Sequence, residues 1–294
     1  NNINPGMIIG SQNSTIAAGV YNSLIIGGNN NQINAGLGNL ISGNVNINTA
    51  GNNNFITGYL NTNTSGSFNI IGGSDNINTS GGDNIISGST NINTSGNNNF
   101  ISGQNNINII GDANIIGGLY NSNNSSFWGN IISGTGNECY TYNSLLIGSN
   151  NIMTNPGIMY GLSGASTVSN GFSNAYVNTI NATPTLLTTD GTNSFKILTD
   201  QTFRVELTLL VKNINTGDAK EWKGFGIIKN VAGTTSLVGG TLTMTSTIGD
   251  VSLATTSVAV TANNTTDCLD ITVTGIAATN ILWNCGIEYV LVNG

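Results

Sequence analysis

The sequence predicts an all-β protein: an N-terminal parallel β-roll or solenoid with two strands per 15-residue repeat, then an antiparallel, jelly-roll-like β-sandwich. Three observations predict it. Isoleucine and glycine recur every 15 residues in the first half, each copy holds two successive large apolar residues, and the C-terminal part alternates apolar with polar side chains. The predicted domains are a repeat shaft at 1–161, a neck or linker at 162–189 and a sandwich tip at 190–294.

The composition is that of an ordered chain with very few charges. Asparagine accounts for 53 of the 294 residues and glycine for 40, whereas charged residues make up only 6%, against about 25% in ordinary globular proteins. Richness in Asn, Gly and Ser often marks low complexity. Here 38% of the residues are hydrophobic and the Ile residues are regularly placed, so we expect a chain that folds to bury them.

The distribution of charge excludes several classes of function. The chain has no histidine, and all six basic residues lie between Lys196 and Lys229. Histidine-dependent catalysis is therefore excluded, and no nucleic-acid partner is expected because the first 195 residues offer no cation to phosphates. There is no run of 18 apolar residues, so we expect no membrane insertion.

The repeat is marked by glycine at 15-residue steps. These glycines are Gly28, Gly43, Gly58, Gly73, Gly88, Gly103 and Gly118. Two positions before each stands isoleucine: Ile26, Ile41, Ile56, Ile71, Ile86, Ile101 and Ile116. Looser copies at both ends bring the total to about eleven over 1–161, and internal repeats of this length indicate a solenoid.

Each copy contains two short segments that we interpret as strands. The first is of the type "NIISG" at 84–88, and the second is of the type "NINT" at 91–94. Both are too short for helices and are bounded by Gly, Asn and Ser, with glycine where a turn needs positive φ. One coil is then strand, turn, strand, turn, and eleven coils stacked at about 4.8 Å would form a rod of about 50 Å.

The second segment predicts an asparagine array on the surface. In "NINT" one apolar side chain alternates with polar neighbours, so we expect a buried Ile between outward-pointing Asn side chains. The expected outward pairs are Asn46 and Asn48, Asn61 and Asn63, Asn76 and Asn78, and Asn91 and Asn93. Stacked amides can bond to each other along the rod. The alternatives left open are that this array binds glycans or orders water as an ice-binding face does.

The first segment predicts an assembly of several chains. Its two successive apolar residues, such as Ile85 and Ile86, point to opposite faces of the strand, and a two-walled coil covers only one of them. The other residue of each coil would add to a long apolar stripe, which is an aggregation surface in a lone chain. We therefore expect neighbouring copies to cover it in a parallel homotrimer, the smallest ring that encloses a core, with a dimeric sandwich as the alternative.

These residues carry a resemblance to a known family. Repeats of the type "N-x-I-I-[SG]-G-x-x-N-x-I" resemble the head repeats of YadA-type trimeric autotransporter adhesins, and similar segments occur in bacteriophage tail fibres. The resemblance covers about residues 7–161 and implies a trimeric left-handed parallel β-roll. This chain has Asn and Ile where the family usually has Ala and Val, which leaves the binding partner open.

Alternation of apolar and polar residues predicts an antiparallel sandwich of about seven or eight strands at 190–294. It is clear in "TFRVELTLL" at 202–210, where Arg204 and Glu206 face away from the core, and in "LWNCGIEYVLV" at 282–292. Turn signals stand at 215–218, 231–235 and 262–267.

Two further regions complete the expected layout. The neck at 162–189 loses the period and is expected to be extended. Residues 195–292, through "AKEWKGFGIIKNVAGTTSLVG", "DITVTG" and "ILWNCGIEYV", are similar to a C-terminal β-domain of phage tail-fibre and structural proteins. This second resemblance is one of pattern and implies a virion protein.

The positions of the acidic residues are typical of turns and solvent-exposed strand faces and not of an active site. Those of the repeat region are Asp75, Asp83, Asp112 and Glu138. Asp83 and Asp112 stand at or beside turn positions where other copies carry Asn, unlike the paired carboxylates of a glycosidase. Those weighed in the C-terminal region are Asp190, Asp200, Asp218, Glu221, Asp250, Asp267, Asp270 and Glu288. We expect no enzyme, no cofactor, and no catalytic or metal-binding residue.

The three cysteines lack the spacing of a metal site. Cys268 and Cys285 lie on strands predicted to be adjacent, and they face each other if the hairpin is centred between Ile276 and Ala277. A disulfide and two buried thiols both fit this placement, and Cys139 is left unpaired in either case.

Three aromatic residues are candidates for gripping a sugar: Trp222, Trp283 and Tyr289. Alternation places Trp283 and Tyr289 on the apolar face, and Trp222 stands between Glu221 and Lys223. Core positions are therefore favoured over a binding site for all three, and the sequence assigns no receptor-binding residue.

Together these patterns predict a structural and binding protein, located on a virion surface or outside the cell. It would be a phage tail fibre or surface adhesin whose trimeric tip binds a host cell-surface glycan or protein, gaining avidity from three tips on one axis. Three alternatives stay open: a bacterial trimeric autotransporter-type adhesin head, an ice-binding β-solenoid and a polysaccharide depolymerase tailspike.

Overall fold

The structure, a computed structural model, describes residues 5–126, 128–161 and 168–293. It comprises two compact units, Asn1–Met153 and Thr154–Gly294. We call them the solenoid unit and the antiparallel unit. The strands are numbered β1 to β31 in chain order.

Within its described residues, the solenoid unit is built of ten coils, each with one longer and one shorter strand. The longer strands are β1 (Met7–Ile9), β3 (Leu24–Asn29), β5 (Leu40–Asn44), β7 (Phe55–Tyr59), β9 (Ile70–Ser74), β11 (Ile85–Ser89), β13 (Phe100–Gln104), β15 (Ile115–Leu119), β17 (Ile131–Thr135) and β19 (Leu145–Ser149). The shorter strands are β2 (Thr15–Ile16), β4 (Gln32–Ile33), β6 (Ile47–Asn48), β8 (Thr62–Asn63), β10 (Ile77–Asn78), β12 (Ile92–Asn93), β14 (Ile107–Asn108), β16 (Ser122–Asn123), β18 (Glu138–Cys139) and β20 (Ile152–Met153). Each set forms its own parallel sheet, which confirms the predicted parallel solenoid.

Strand register follows the sequence period through most of the unit. Ile85 pairs with Phe100, and Ile92 pairs with Ile107. At the N-terminal end the assignment of Ile26 as the equivalent of Ile41 is wrong: Ile25 pairs with Ile41, and the register shifts between Ile26 and Asn29. Two glycines in succession there let the strand take one extra residue and still return to the common turn.

The interior of six successive coils, from that of Ile41 to that of Ile116, combines one isoleucine with three asparagines. Ile86 is fully buried, and so are Asn84, Asn91 and Asn93 of the same coil. Ile92, between the last two, is only half-buried. The predicted orientation of this strand, with Ile inside and Asn outside, is therefore wrong. The interior needs amide donors for backbone oxygens that an Ile side chain cannot satisfy.

The correction applies to every asparagine pair that was expected to point outward. Asn46, Asn48, Asn61, Asn63, Asn76, Asn78, Asn91 and Asn93 are all 0% exposed. The expectation that stacked amides bond to each other is confirmed, but they do so inside the solenoid.

Asn91 shows how one amide is held. Its backbone N–H donates to Asn76 Oδ1 at 3.0 Å, and its Nδ2 donates to the same oxygen at 3.2 Å. Nδ2 also lies 2.7 Å from Ser87 O and 2.9 Å from Gly103 O. Its own Oδ1 accepts from Asn106 Nδ2 at 3.2 Å. Each amide therefore ties its coil to the coils on both sides.

The asparagines equivalent to Asn93 in successive coils form a column of stacked side chains, and this column has a defined start and end. It runs from Asn48 to Asn123 by Nδ2-to-Oδ1 bonds, such as the 2.8 Å bond from Asn93 to Asn78. The equivalent positions outside it hold Ile33 on one side and Cys139 on the other, and both side chains are fully buried.

Turn geometry explains the glycine at the common position. Gly88 has φ 103°, and a Cβ built on it would lie 2.0 Å from Gly103 O of the next coil. Only glycine fits such a position. The neighbouring turn positions Asp83 and Thr90 both have φ 58°, so the expectation that Asp83 is a turn residue is confirmed.

The antiparallel unit holds eleven strands and one short 3-10 helix within the described residues. They are β21 (Ile158–Gly161), β22 (Val168–Thr179), β23 (Pro184–Leu186), β24 (Phe195–Lys196), β25 (Gln201–Asn213), β26 (Ala219–Val231), β27 (Thr234–Leu237), β28 (Thr245–Gly249), the helix Val251–Leu253, β29 (Ser257–Asn263), β30 (Cys268–Thr274) and β31 (Ile281–Asn293). The hairpins β25–β26, β26–β27 and β29–β30 turn where the sequence predicted, and the antiparallel part of the fold is confirmed. The jelly-roll connectivity stays a prediction.

Two antiparallel sheets make up this unit. In the larger sheet β31 pairs with β22 on one side and β25 on the other, and β25 continues to β26. In the smaller sheet β30 pairs with β29, β23 and β24. Phe195 of the smaller sheet packs edge-on against Phe203 and Tyr289 of the larger one, with ring centroids 5.3 Å apart in both cases. The core therefore lies between the two sheets.

The segment assigned to an extended neck supplies one of the long strands. Residues 168–179 pair with β31 along their whole length as β22. The inward positions include Ser173 and Ala175, which are almost fully buried. Small side chains give no apolar alternation, so the sequence pattern did not reveal this strand.

Candidate functional site

Two surfaces of the chain stand out, and the first is an apolar stripe on the solenoid unit. Its members are the residues one position before six of the buried Ile side chains of the longer strands, and they are 40–48% exposed. They are Phe55, Ile70, Ile85, Phe100, Ile115 and Ile131. The prediction that the doubled apolar strand has one covered and one uncovered face is therefore confirmed for the single chain.

The stripe is regular because the strands are in register. Phe55 pairs with Ile70, Ile85 with Phe100 and Phe100 with Ile115. Neighbouring strands of a sheet lie about 4.8 Å apart, so the stripe is a straight ladder of large side chains. No Lys or Arg occurs in this unit.

The second surface is the outer face of the larger sheet in the antiparallel unit. The registers place Phe172, Glu288, Glu206 and Phe225 side by side across β22, β31, β25 and β26. We call these four residues the Phe–Glu–Glu–Phe row. Phe225 is 76% exposed, and both glutamates are exposed. Two carboxylates thus stand opposite each other between two aromatic rings.

Arg204 completes this surface. Its Nη2 donates to Glu206 Oε1, and about half of each side chain is exposed. Glu288 has no hydrogen bond or ion pair among the described residues. One carboxylate of the row is therefore neutralised and the other is not.

Two open clefts flank the Arg204–Glu206 pair. The first has a volume of about 360 Å³ and is lined by residues that include Asn170, Phe172 and Glu288. The second has a volume of about 460 Å³ and is lined by residues that include Thr208, Lys223 and Phe225. Both are within the range of about 300–1,000 Å³ of small-ligand sites.

Most other carboxylates hold turns and loops together, as the sequence suggested. Asp112 Oδ1 accepts the backbone N–H of Asn97 at 2.6 Å. Asp218 accepts hydrogen bonds from the hydroxyl groups of Ser252 and Thr216, which lower its pKa. Glu138 accepts from Tyr140 Oη at 2.7 Å. Among the described residues no three Cys, Asp or Glu side chains are grouped as a metal ion would need.

The cysteines are three free, buried thiols. The expectation that Cys268 and Cys285 face each other on adjacent strands is wrong, because β30 and β31 belong to different sheets and the chain crosses between them at 275–280. Burial raises the pKa of Cys139 to about 11 and that of Cys285 to about 12. All three therefore act as core residues.

The aromatic residues considered for sugar binding lie in or beside the core. Trp283 is fully buried and its Nε1 donates to Thr179 Oγ1 at 2.8 Å, and Tyr289 is 5% exposed. Trp222 is half-buried, with Lys220 Nζ 4.3 Å from its ring centroid. That ammonium also donates to Leu253 O at 3.0 Å, and burial lowers its pKa.

The sequence predicted the exposed position of some residues of the row but not that the four residues lie side by side. Alternation put Glu206 on the wet face of its strand and Glu288 on that of another, and both placements are confirmed. Phe172 fell in the presumed neck and Phe225 in a segment without clear alternation. The missing information was the register that sets residues 206 and 288 opposite each other.

Comparison with known proteins shows little similarity. No family model matches the chain, and no curated protein matches it. A solved structure that it resembles is that of the tailspike protein gp49 from Acinetobacter baumannii bacteriophage Fri1, described as a capsular polysaccharide depolymerase. The alignment covers 95% of this chain and 69% of that one at 8% identity, with a TM-score of 0.24. At this level of similarity, only the chain's own residues can support a functional proposal.

No helix in the described part of the chain is long and apolar enough to cross a membrane.

Proposed function

We propose that the chain is a structural and binding protein rather than an enzyme. It forms a homotrimeric fibre on a virion, such as a phage tail, or on an extracellular surface. The solenoid unit serves as the shaft, and the antiparallel unit serves as a tip that binds a host cell-surface glycan or protein. The observation that carries the proposal is the apolar stripe of the solenoid unit.

The energetics of the stripe favour a long, continuous partner. Full burial of a large apolar side chain is worth about 1.5–3 kcal/mol, so covering each half-exposed member contributes about 1 kcal/mol. Association costs about 4–15 kcal/mol in lost freedom. A partner that touches one or two members would not stay bound, whereas one that follows the whole stripe would.

A second copy of the chain fits that requirement. It has the same strand spacing, so its large side chains meet those of the stripe coil by coil when the two chains run parallel. The stripe carries no charged residue, and so identical copies do not repel one another there. Three copies enclose a core and leave no stripe open, and a dimer is the alternative.

The binding role follows from this assembly. Three identical tips on one axis bind together, and avidity then exceeds the affinity of one tip by about 100-fold or more. A bacterial trimeric adhesin head would use the same assembly. The ice-binding alternative rested on outward asparagines, which are buried, and it is not proposed.

Light scattering on the full chain tests the proposal. We expect three times the 30.3 kDa mass of one chain. The double variant Ile85→Glu, Phe100→Glu places charges on the stripe and should give the single-chain mass. The matched control Thr79→Glu, Thr94→Glu, at exposed positions outside the stripe, should keep the trimer.

The possible masses separate the outcomes. A measured mass of twice that of one chain would show a dimer in place of the trimer. A stable, soluble species of single-chain mass for the wild type would contradict the proposal, as would a stripe variant that assembles like the control.

A further inference from the structure

The Phe–Glu–Glu–Phe row contains a local conflict. Glu206 and Glu288 are direct cross-strand partners, and like charges in that position destabilise a sheet. Arg204 compensates only Glu206. Sequences keep such conflicts mainly where a site needs them, so the unpaired carboxylate of Glu288 calls for a ligand.

The surroundings define what that ligand offers. Phe225 presents an almost bare aromatic ring at one end of the row, and Phe172 leans over Gly286 at the other. Rings of this kind pack against the apolar C–H face of a sugar. Carboxylates accept hydrogen bonds from neighbouring hydroxyls, and the remaining N–H groups of Arg204 donate to ring or hydroxyl oxygens. Few ligand classes combine apolar faces with so many hydroxyls.

We propose that the outer face of the larger sheet binds an oligosaccharide that lacks acidic groups, centred on Glu288 and Glu206 and flanked by Phe172 and Phe225. The two clefts beside the Arg204–Glu206 pair hold successive sugar units. This inference deepens the proposed function, on which it rests for the role of this unit in binding.

The charge balance selects against acidic sugars. The charge of Arg204 neutralises that of Glu206. Lys223 Nζ lies 3.3 Å from Glu221 Oε1, so these two charges also neutralise each other. Glu288 is left as the uncompensated charge of the row. Two cations of the same face that form no ion pair among the described residues, Lys229 and Lys212, stand farther along the strands, opposite Thr202 and Leu282. A uronic acid, a sialic acid or a phosphate placed beside Glu288 would be repelled.

The same geometry favours binding over cleavage. A glycosidase holds its two carboxyl groups on either side of the scissile bond. Glu206 and Glu288 rise side by side from one face of a single sheet, so both approach a bound sugar from the same direction.

A glycan array probed with the full chain tests the inference. The array carries neutral oligosaccharides and matched ones with carboxylated sugars, and we expect only the neutral set to bind. Glu288→Gln removes the unpaired charge; neutral binding should weaken about tenfold, and the discrimination against carboxylated sugars should disappear. Phe225→Ala should weaken neutral binding about tenfold by loss of the ring.

Two matched controls change a carboxylate and an aromatic residue on the solenoid unit. Glu138→Gln and Tyr120→Ala alter an exposed carboxylate contact and an exposed ring, and both should bind like the wild type. Because all four positions lie at the surface, the variants should fold, and circular dichroism checks that they do.

Several results would overturn the inference. Preference for acidic glycans, no glycan bound at all, or unchanged binding by Glu288→Gln and Phe225→Ala would each do so. A change of molar mass in Phe225→Ala would mark the face as a contact between copies, and release of reducing ends from a bound glycan would mark a hydrolase. If the wild type is trimeric and adheres to cells while the array fails, only the inference fails and the proposed function stands.

Discussion

The two units of this chain bury opposite kinds of side chain. The solenoid unit keeps columns of asparagine inside and leaves an apolar ladder at its surface, whereas the antiparallel unit buries Phe195, Phe203 and Trp283 and carries most of its charges outside. A coil of about fifteen residues has turns at close intervals, and each turn leaves backbone oxygens pointing inward. Amide side chains satisfy them and a hydrocarbon interior would not. The interior of the solenoid unit thus depends on hydrogen bonds, and that of the antiparallel unit depends on apolar burial.

The largest expected effect comes from the turn glycine of the solenoid. Gly88→Ala introduces a Cβ that would lie 2.0 Å from Gly103 O, so we expect a loss of about 4 kcal/mol or more in unfolding free energy. Gly233→Ala of the antiparallel unit has a similar φ, 81°, with nothing within 4 Å, and should cost only about 1 kcal/mol. Urea denaturation measures both, and equal losses would mean that coil-to-coil contact does not constrain the turn.

The next effect concerns the buried amides themselves. Asn91→Ala deprives Gly103 O and two neighbouring asparagines of a partner, and we expect a loss of about 3 kcal/mol. Asn174→Ala removes an exposed amide from the antiparallel unit and should change stability by no more than about 0.5 kcal/mol. Comparable urea midpoints for the two variants would show that the solenoid is not held by its amide columns.

The smallest effect is a pH dependence in the antiparallel unit, at Asp190. Burial by itself would raise the pKa of Asp190, but hydrogen bonds from Asn193 and Thr192 outweigh it and lower the pKa below the ordinary 3.8. A carboxyl with a lowered folded-state pKa stabilises the fold above its unfolded pKa, and that stability is lost as the pH falls through the folded value.

We therefore expect stability to decline below about pH 4, by less than about 1 kcal/mol because the group is largely solvent-exposed. Unfolding followed by the fluorescence of the buried Trp283 measures it. Asp190→Asn should flatten the decline, and an unchanged pH profile in that variant would contradict the assignment.

The sequence predicted what depends on local pattern. The pair Ile85 and Ile86 predicted a strand with one covered and one uncovered face, and Gly88 predicted a turn with positive φ. Both predictions hold because each concerns a single strand or turn.

What the sequence did not show depends on distant partners. Asn91 and Asn93 look like surface residues until the backbone oxygens they satisfy are known. Cys268 and Cys285 look like hairpin neighbours until the chain is seen to change sheets between them. Glu206 and Glu288 form a site only through a register that spans about eighty residues of sequence.

The replacement of asparagine by Ile33 and Cys139 ends one amide column inside the solenoid, and the coils beyond keep apolar side chains, Ile16 and Met153, at that position. A hydrocarbon or thiol side chain cannot pass the amide relay onward, so a copy added end to end would find no donor or acceptor with which to continue it. This column therefore offers no amide that would favour polymerisation by stacking, the hazard of every open parallel sheet.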